Sequence, residues 1–282
     1  MGYIFLWILV LIIGASGTLI SSNSYRIRRE VARGVHEMWS HPASSPPLDL
    51  SERSTSQLPP PVLRYLTTVL KRSDPIRTVR LTHRGSMRTS PTGAWIPVAG
   101  QQFFAAAQPA FIWWGRVRIL PGLWIDAIDS FQNGQGRMLI KAASTWTIND
   151  AEGPELSESA LLRLLGEMFW FPSALLDQRY VRWEAIDATQ ARAHIEVAGT
   201  KATAIFHFDA NGYLFKMTAD RYRNVDGHNI LTPWTGLAQD YREVESVLVP
   251  FAVEAIWNLP EGDFPCIRFS IDTVAFNVDS AF

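Results

Sequence analysis

The chain is 282 residues long, 47% apolar, with 11 Trp and a net charge of −1 spread over mixed signs, so it can bury a large core and has no field to draw a polyanion. Nucleic acid is therefore excluded as an expected partner. A lone Cys266 excludes an internal disulfide or a cysteine metal centre and reads as a small buried hydrophobe.

Tyr3 to Ile20 is an uncharged run of eighteen residues, enough to cross roughly 27 Å of hydrocarbon as a helix. No Lys or Arg precedes it, as a cleaved signal peptide would require, and Ala15-Ser16-Gly17 is a poor cleavage site. Residues 1–22 are thus expected to be an uncleaved single-pass transmembrane anchor that places the protein in the cell membrane. Residues 23–40 continue it as a basic amphipathic helix, with Ile27, Val31, Val35 and Met38 at helical spacing. Arg26, Arg28, Arg29 and Arg33 of this segment would meet anionic headgroups. Since the arginine-rich flank stays in the cytoplasm, the charge rule favours a cytoplasmic body. The apolar stripe fits three settings: the bilayer surface, a second copy in a coiled coil, or a solvated stalk.

Residues 41–59, rich in Pro and Ser, predict an extended linker between membrane and body. Pro60-Pro61 then suit a helix start, and apolar residues at 62, 63, 66, 69 and 70 predict a short amphipathic helix opening a domain over 60–282. From Pro75 the period changes to two. Strands are expected at 76–85, 94–106, 110–119, 123–132 and 136–148, and after a break at 179–187, 190–198, 201–209, 213–223, 236–247, 250–259 and 264–276. Asn133-Gly134 and Asn211-Gly212 are the clearest hairpin turns. Between the two groups, residues 156–176 carry apolar residues at 161, 164, 165, 168 and 169, a helical period. So many strands must curl, and the helix is the element that fills the concavity. The fold class expected is α+β: a strongly curved antiparallel sheet or partial barrel around one central helix, preceded by the transmembrane helix.

The chain lacks H-E-x-x-H, G-x-S-x-G, a phosphate loop and a dinucleotide fingerprint. Its His residues are scattered. No metal or cofactor is expected. Polar groups in aromatic surroundings stand out: Glu167 and Trp170, Trp183 and Glu184, Asp129 beside Phe131, and His207 between Phe206 and Phe208. A buried carboxylate there is an acid or base with a raised pKa, or a structural residue paired with Arg163 or Arg182. The rings of Phe103, Phe104, Phe111, Trp113, Trp114, Trp124 and Trp146 form core, or line a pocket for an apolar ligand or lipid.

The segments LPPPVLRYL, GAWIPVAGQQFFAAAQPAFIWWGRVRI and LLRLLGEMFWFPSALL, with Trp183-Glu184 before Asp187 and Asp129 with Gly134 and Gly136, resemble a bacterial family of membrane-anchored proteins known only as a domain of unknown function. The resemblance spans about 58–276 and implies a curved sheet similar to the open barrels of periplasmic lipoprotein carriers, a likeness of fold only. Three functions follow as expectations. One is a membrane-tethered module binding an apolar or amphiphilic ligand through Glu167, Trp170, Trp183, Glu184, Asp129, Trp113 and His207. Another is an enzyme using Glu167 with Glu184 or Asp129. The last is an envelope interaction protein with no small-molecule site.

Overall fold

A computed structural model describes residues 2–40, 55–72, 74–120 and 122–282, and of 2–17 the backbone alone. Thirteen strands form one antiparallel sheet: β1 (Thr78–Met87), β2 (Ile96–Ala105), β3 (Ala110–Leu120), β4 (Leu123–Gln132), β5 (Gln135–Ala142), β6 (Trp146–Glu152), β7 (Val181–Ala185), β8 (Gln190–Val197), β9 (Thr200–Phe208), β10 (Leu214–Val225), β11 (His228–Val244), β12 (Val247–Leu259) and β13 (Gly262–Phe276). Their order, β6-β5-β4-β3-β2-β1-β13-β12-β11-β10-β9-β8-β7, is two meanders joined where the first strand pairs with the last. The helices are α1 (Gly2–Trp39), α2 (Pro60–Val69) and α3 (Pro154–Glu167).

Because α3 carries the chain from one sheet edge to the other, it touches β4, β5 and β6 on one arm and β8, β9 and β10 on the other. The sheet curls around it until hairpin turns from the two arms meet, with the Thr200 hydroxyl donating to the Gly134 carbonyl at 2.7 Å. Gly134 sits at φ +80°, where a side chain is strained, and a Cβ would press on that of Ala198 at 3.0 Å. At Gly136 a Cβ would come within 2.9 Å of the α3 backbone, so its absence sets how closely helix and sheet approach.

Alternation along the strands divides the aromatics between two faces. Phe104, Phe111 and Phe131 join the large core between the concave face, α2 and α3. Phe103 and Ile112 point the other way, into a second cluster with Ile27, Val31, Val35 and Met38 of α1. The basic helix therefore lies along the convex face of its own sheet, and its stripe is neither on the bilayer, nor against a second copy, nor in solvent. Burying four aliphatic side chains there contributes about 2 kcal/mol apiece. The Trp39 indole donates to the Phe104 carbonyl at 2.9 Å and Asn23 to the Thr145 hydroxyl at 3.1 Å, fixing both ends of the docked segment.

The dock is tied by Asp126, which is buried and accepts hydrogen bonds from Arg116 (2.9 Å), Trp114 (3.2 Å), Trp124 (2.9 Å) and Ser144 (2.5 Å). Arg116 reaches on to Ser24 of α1 at 3.0 Å. A buried carboxylate with this many donors is fully compensated, which is why it can sit at the junction of sheet and helix.

Three expectations need correction. The helix expected over 156–176 ends at Glu167, and short 3-10 turns follow at Met168–Trp170 and Pro172–Leu176, since Pro172 has no N–H to continue a helix. The strand expected over 136–148 is two strands, β5 and β6, turned by Ala143 and Ser144 at φ 45° and 58°. Here the Ser144–Asp126 hydrogen bond, and no Gly or Asn signal, holds the left-handed backbone. The strand expected from 236 begins at His228.

The linker expected over 41–59 lies outside the described residues as far as 54. Among the described residues no helix is long and apolar enough to cross a membrane. The side chains of residues 3–17, on which that expectation mainly rests, are outside them. The backbone of 2–39 is one continuous helix.

Candidate functional site: an apolar cavity with a charged floor

The 3-10 turns after α3 are narrower than a full helix, and the concave face is not filled. A cavity of about 420 Å³ remains between α3 and the sheet, within the range of small-molecule sites. Ile96, Val117, Ile125 and Ile140 from one arm and Val253 and Phe269 from the other line it. Gly166 of α3 also lines it, and a Cβ there would push the flexible end of Met217, 2.5 Å away, aside.

Its floor is one polar cluster. Arg163 donates to Asp129 at 2.6 Å and to Glu167, one helical turn on, at 2.8 Å, while its ring-facing side lies over Phe111 and Trp113 at 5.0 and 5.3 Å. Gln102 donates to the other Glu167 oxygen at 2.5 Å and accepts from Arg163 at 3.2 Å. Burial pushes the Glu167 carboxyl above its ordinary value, against the pull of Arg163 and Gln102. Burial also works against the Arg163 cation, but the two carboxylates outweigh it and raise its pKa. Both Glu167 oxygens are already occupied by donors, which leaves a poorly placed acid or base. Arg163 is the partner both carboxylates share, so removing it would strand buried charge at a cost of about 3–5 kcal/mol.

Beside the cluster, Trp113 donates its indole N–H to Nε2 of His83 at 2.7 Å, and His83 stacks on Phe269 at 4.1 Å. Burial lowers the His83 pKa to about 3. The ring is therefore neutral.

Of the residues singled out from the sequence, Glu167, Trp170, Asp129 and Trp113 line this one cavity. Trp170 also donates to the Pro250 carbonyl at 3.0 Å, tying the 3-10 turn to β12. The others lie elsewhere. Trp183 donates to the Leu175 carbonyl at 3.0 Å and packs edge-on against Phe206. Glu184, on the outermost strand β7, is exposed and pairs with Arg192 at 2.8 Å. His207 meets Thr218 at 3.0 Å, and burial lowers its pKa. Arg26, Arg28, Arg29 and Arg33 are exposed on α1, with Arg28 over the ring of Phe282 at 4.4 Å. No group of three or more His, Cys, Asp or Glu residues among the described ones is placed to hold a metal ion.

Among the cavity residues that sequence reasoning missed are Arg221 and Trp234. Met217, Ala219 and Arg221 alternate along β10, and that phase was the available signal, since Met217 is buried. Arg221 lies over the rings of Trp234 and Trp257 at 5.4 and 5.9 Å. Its Nε and the Trp234 indole nitrogen are both buried without a hydrogen-bond partner. Each orphan donor of this kind costs about 1–3 kcal/mol.

A curled antiparallel sheet wrapped around a helix, with an apolar cavity left between them, is thus the class of protein that fold and site define. The chain belongs to the Family of unknown function (DUF6544), whose profile matches residues 49–269. Among solved structures it is similar to a LolA superfamily protein from Nitrosomonas europaea, at 9% identity and a TM-score of 0.35 over 77% of this chain and 92% of that one. It is also similar to a beta-barrel-like protein of the domain of unknown function DUF1849 from Brucella abortus, at 8% identity and a TM-score of 0.28 over 72% of this chain and 99% of that one. No curated protein matches the chain.

Proposed function

We propose that the protein is a membrane-tethered module that holds an apolar or amphiphilic ligand in the cavity between α3 and the curled sheet. The observation that carries this reading is the cavity of about 420 Å³ that persists after α3 has packed. A fold that needed α3 only as core would close that space, because voids cost stability.

The tether is the run from Tyr3 to Ile20, continuous with the docked part of α1. Docking places one end of the sheet beside the end of that run. Thr145 in the β5–β6 turn bonds Asn23 at 3.1 Å, and the exposed large hydrophobics Ile119, Leu120, Leu123, Trp146 and Ile148 gather on the neighbouring strand ends. A cluster of this kind is a poor water-facing surface and a good interfacial one. Ile119 and Ile125, near the same end, also line the cavity, so the ligand would pass between bilayer and cavity without crossing water. The exposed arginines of α1 follow the run on one side, Arg26 nearest to it, and this positive flank favours a cytoplasmic body.

The test is native mass spectrometry and lipid extraction of the full chain, with Ala127→Trp and Ile140→Trp as cavity-filling variants. An amphiphile that co-purifies with the wild type and is depleted at least about tenfold in folded variants supports the reading. Equal amounts in all three, or none in any, would overturn it.

A further inference from the structure

The cavity's apolar walls account for a ligand's tail but leave Arg221 and Trp234 unexplained. Both line the cavity, and both also line an adjoining, more polar space of about 690 Å³ edged by Ser159, Thr218 and Asn258. They stand where the two spaces join. Their unpaired N–H groups are there at once, one on a cation and one on an indole.

The nearby carboxylates do not serve Arg221. Asp129 and Glu167 are bonded by Arg163, and Gln102 takes the second Glu167 oxygen. Burial instead drives the Arg221 pKa down, with Asp129 pulling the other way from a distance. An anion in contact would reverse that penalty and satisfy both donors, as charge-assisted hydrogen bonds do.

We propose that Arg221 and Trp234 form the head-group seat of the cavity, binding the anionic head, carboxylate or phosphate monoester, of a single-chain amphiphile whose tail lies among Val117, Ile125, Ile140 and Phe269. This rests on the ligand-binding reading above and narrows it to a charge class. The cation supplies affinity for the head, and the indole N–H supplies direction. The polar space beyond them admits the head's remaining oxygens and their water.

The experiment uses the full chain in a non-ionic detergent, with cis-parinaric acid and its methyl ester as fluorescent probes. The acid binds at least about tenfold more tightly than the ester to the wild type, one charge-assisted contact's worth. Arg221→Met binds both with the ester's affinity, and Arg221→Lys keeps most of the preference. Trp234→Phe, which retains the ring and removes the donor, loses part of it. Palmitate or lysophosphatidate displaces the acid, and the more effective of the two names the head. Equal binding of acid and ester to the wild type overturns the head-group seat alone, as does a preference that survives Arg221→Met. Failure of both probes to bind overturns the cavity reading itself, and this inference with it.

Discussion

His83 shows how one residue can couple the site to pH. It is buried, neutral and an acceptor for Trp113, with a pKa lowered from 6.5 to about 3. The folded state therefore binds fewer protons than the unfolded one between those values. Its contribution to stability is complete above about 6.5 and is lost as pH falls toward about 3, reaching on the order of 4–5 kcal/mol over the full window. His83→Gln keeps an acceptor for the Trp113 indole and has nothing to titrate. The melting temperature of the wild type should fall more steeply than that of His83→Gln as pH is lowered from about 7 to about 4. Parallel curves would show that burial of His83 is not what sets the acid limb. Glu167 acts in the opposite sense: its raised pKa makes its contribution complete below the ordinary carboxylate value and lost as pH climbs through the raised one, so the two residues together favour folding at intermediate pH.

At the scale of elements, α1 decides how the sheet is presented. A helix that only anchored would leave the body free to tumble on its linker. A helix whose last turns are buried on β2 and β3 holds the β3–β4 hairpin and the β5–β6 turn at a set height beside it. On the tethered reading proposed above, the exposed strand ends would form a rim at the bilayer. Trp146, 60% exposed, gives a direct reading of it. In nanodiscs containing lipid brominated near the headgroup, quenching of the wild-type tryptophan fluorescence should exceed that of Trp146→Phe, because an interfacial indole lies within reach of the bromines. Equal quenching would take this rim out of the membrane without touching the cavity.

For the whole molecule, the proposed reading makes orientation the factor that determines which amphiphiles the cavity would meet. The charge rule favours the cytoplasm, since Arg26, Arg28, Arg29 and Arg33 follow the apolar run. Separate fusions of alkaline phosphatase and a fluorescent reporter after Phe282 should give a bright reporter and no phosphatase activity. The reverse pattern would put the body outside and direct the search to exported amphiphiles.

What the sequence alone determined is what local physics encodes. Alternation marked nearly every strand, Pro60 marked the start of α2, and Asn133-Gly134 marked a hairpin whose positive φ values are seen, because each signal lies within a few residues of the element it specifies. The curl followed from strand number, since so many strands cannot stay flat. Tertiary structure alone decided the rest. The stripe of α1 was readable as apolar, but its cover, Phe103 and Ile112, comes from strands far along the chain. The turn at Ala143-Ser144 is held by Asp126 from another strand. Arg163 finds Glu167 one turn away, which spacing announced, and Asp129 across the fold, which it did not. Arg221 and Trp234 come together on neighbouring strands of one arm, and only the curl brings α3 and the opposite arm around to enclose them. A local pattern records which face a residue shows, and only the closed sheet determines what that face meets.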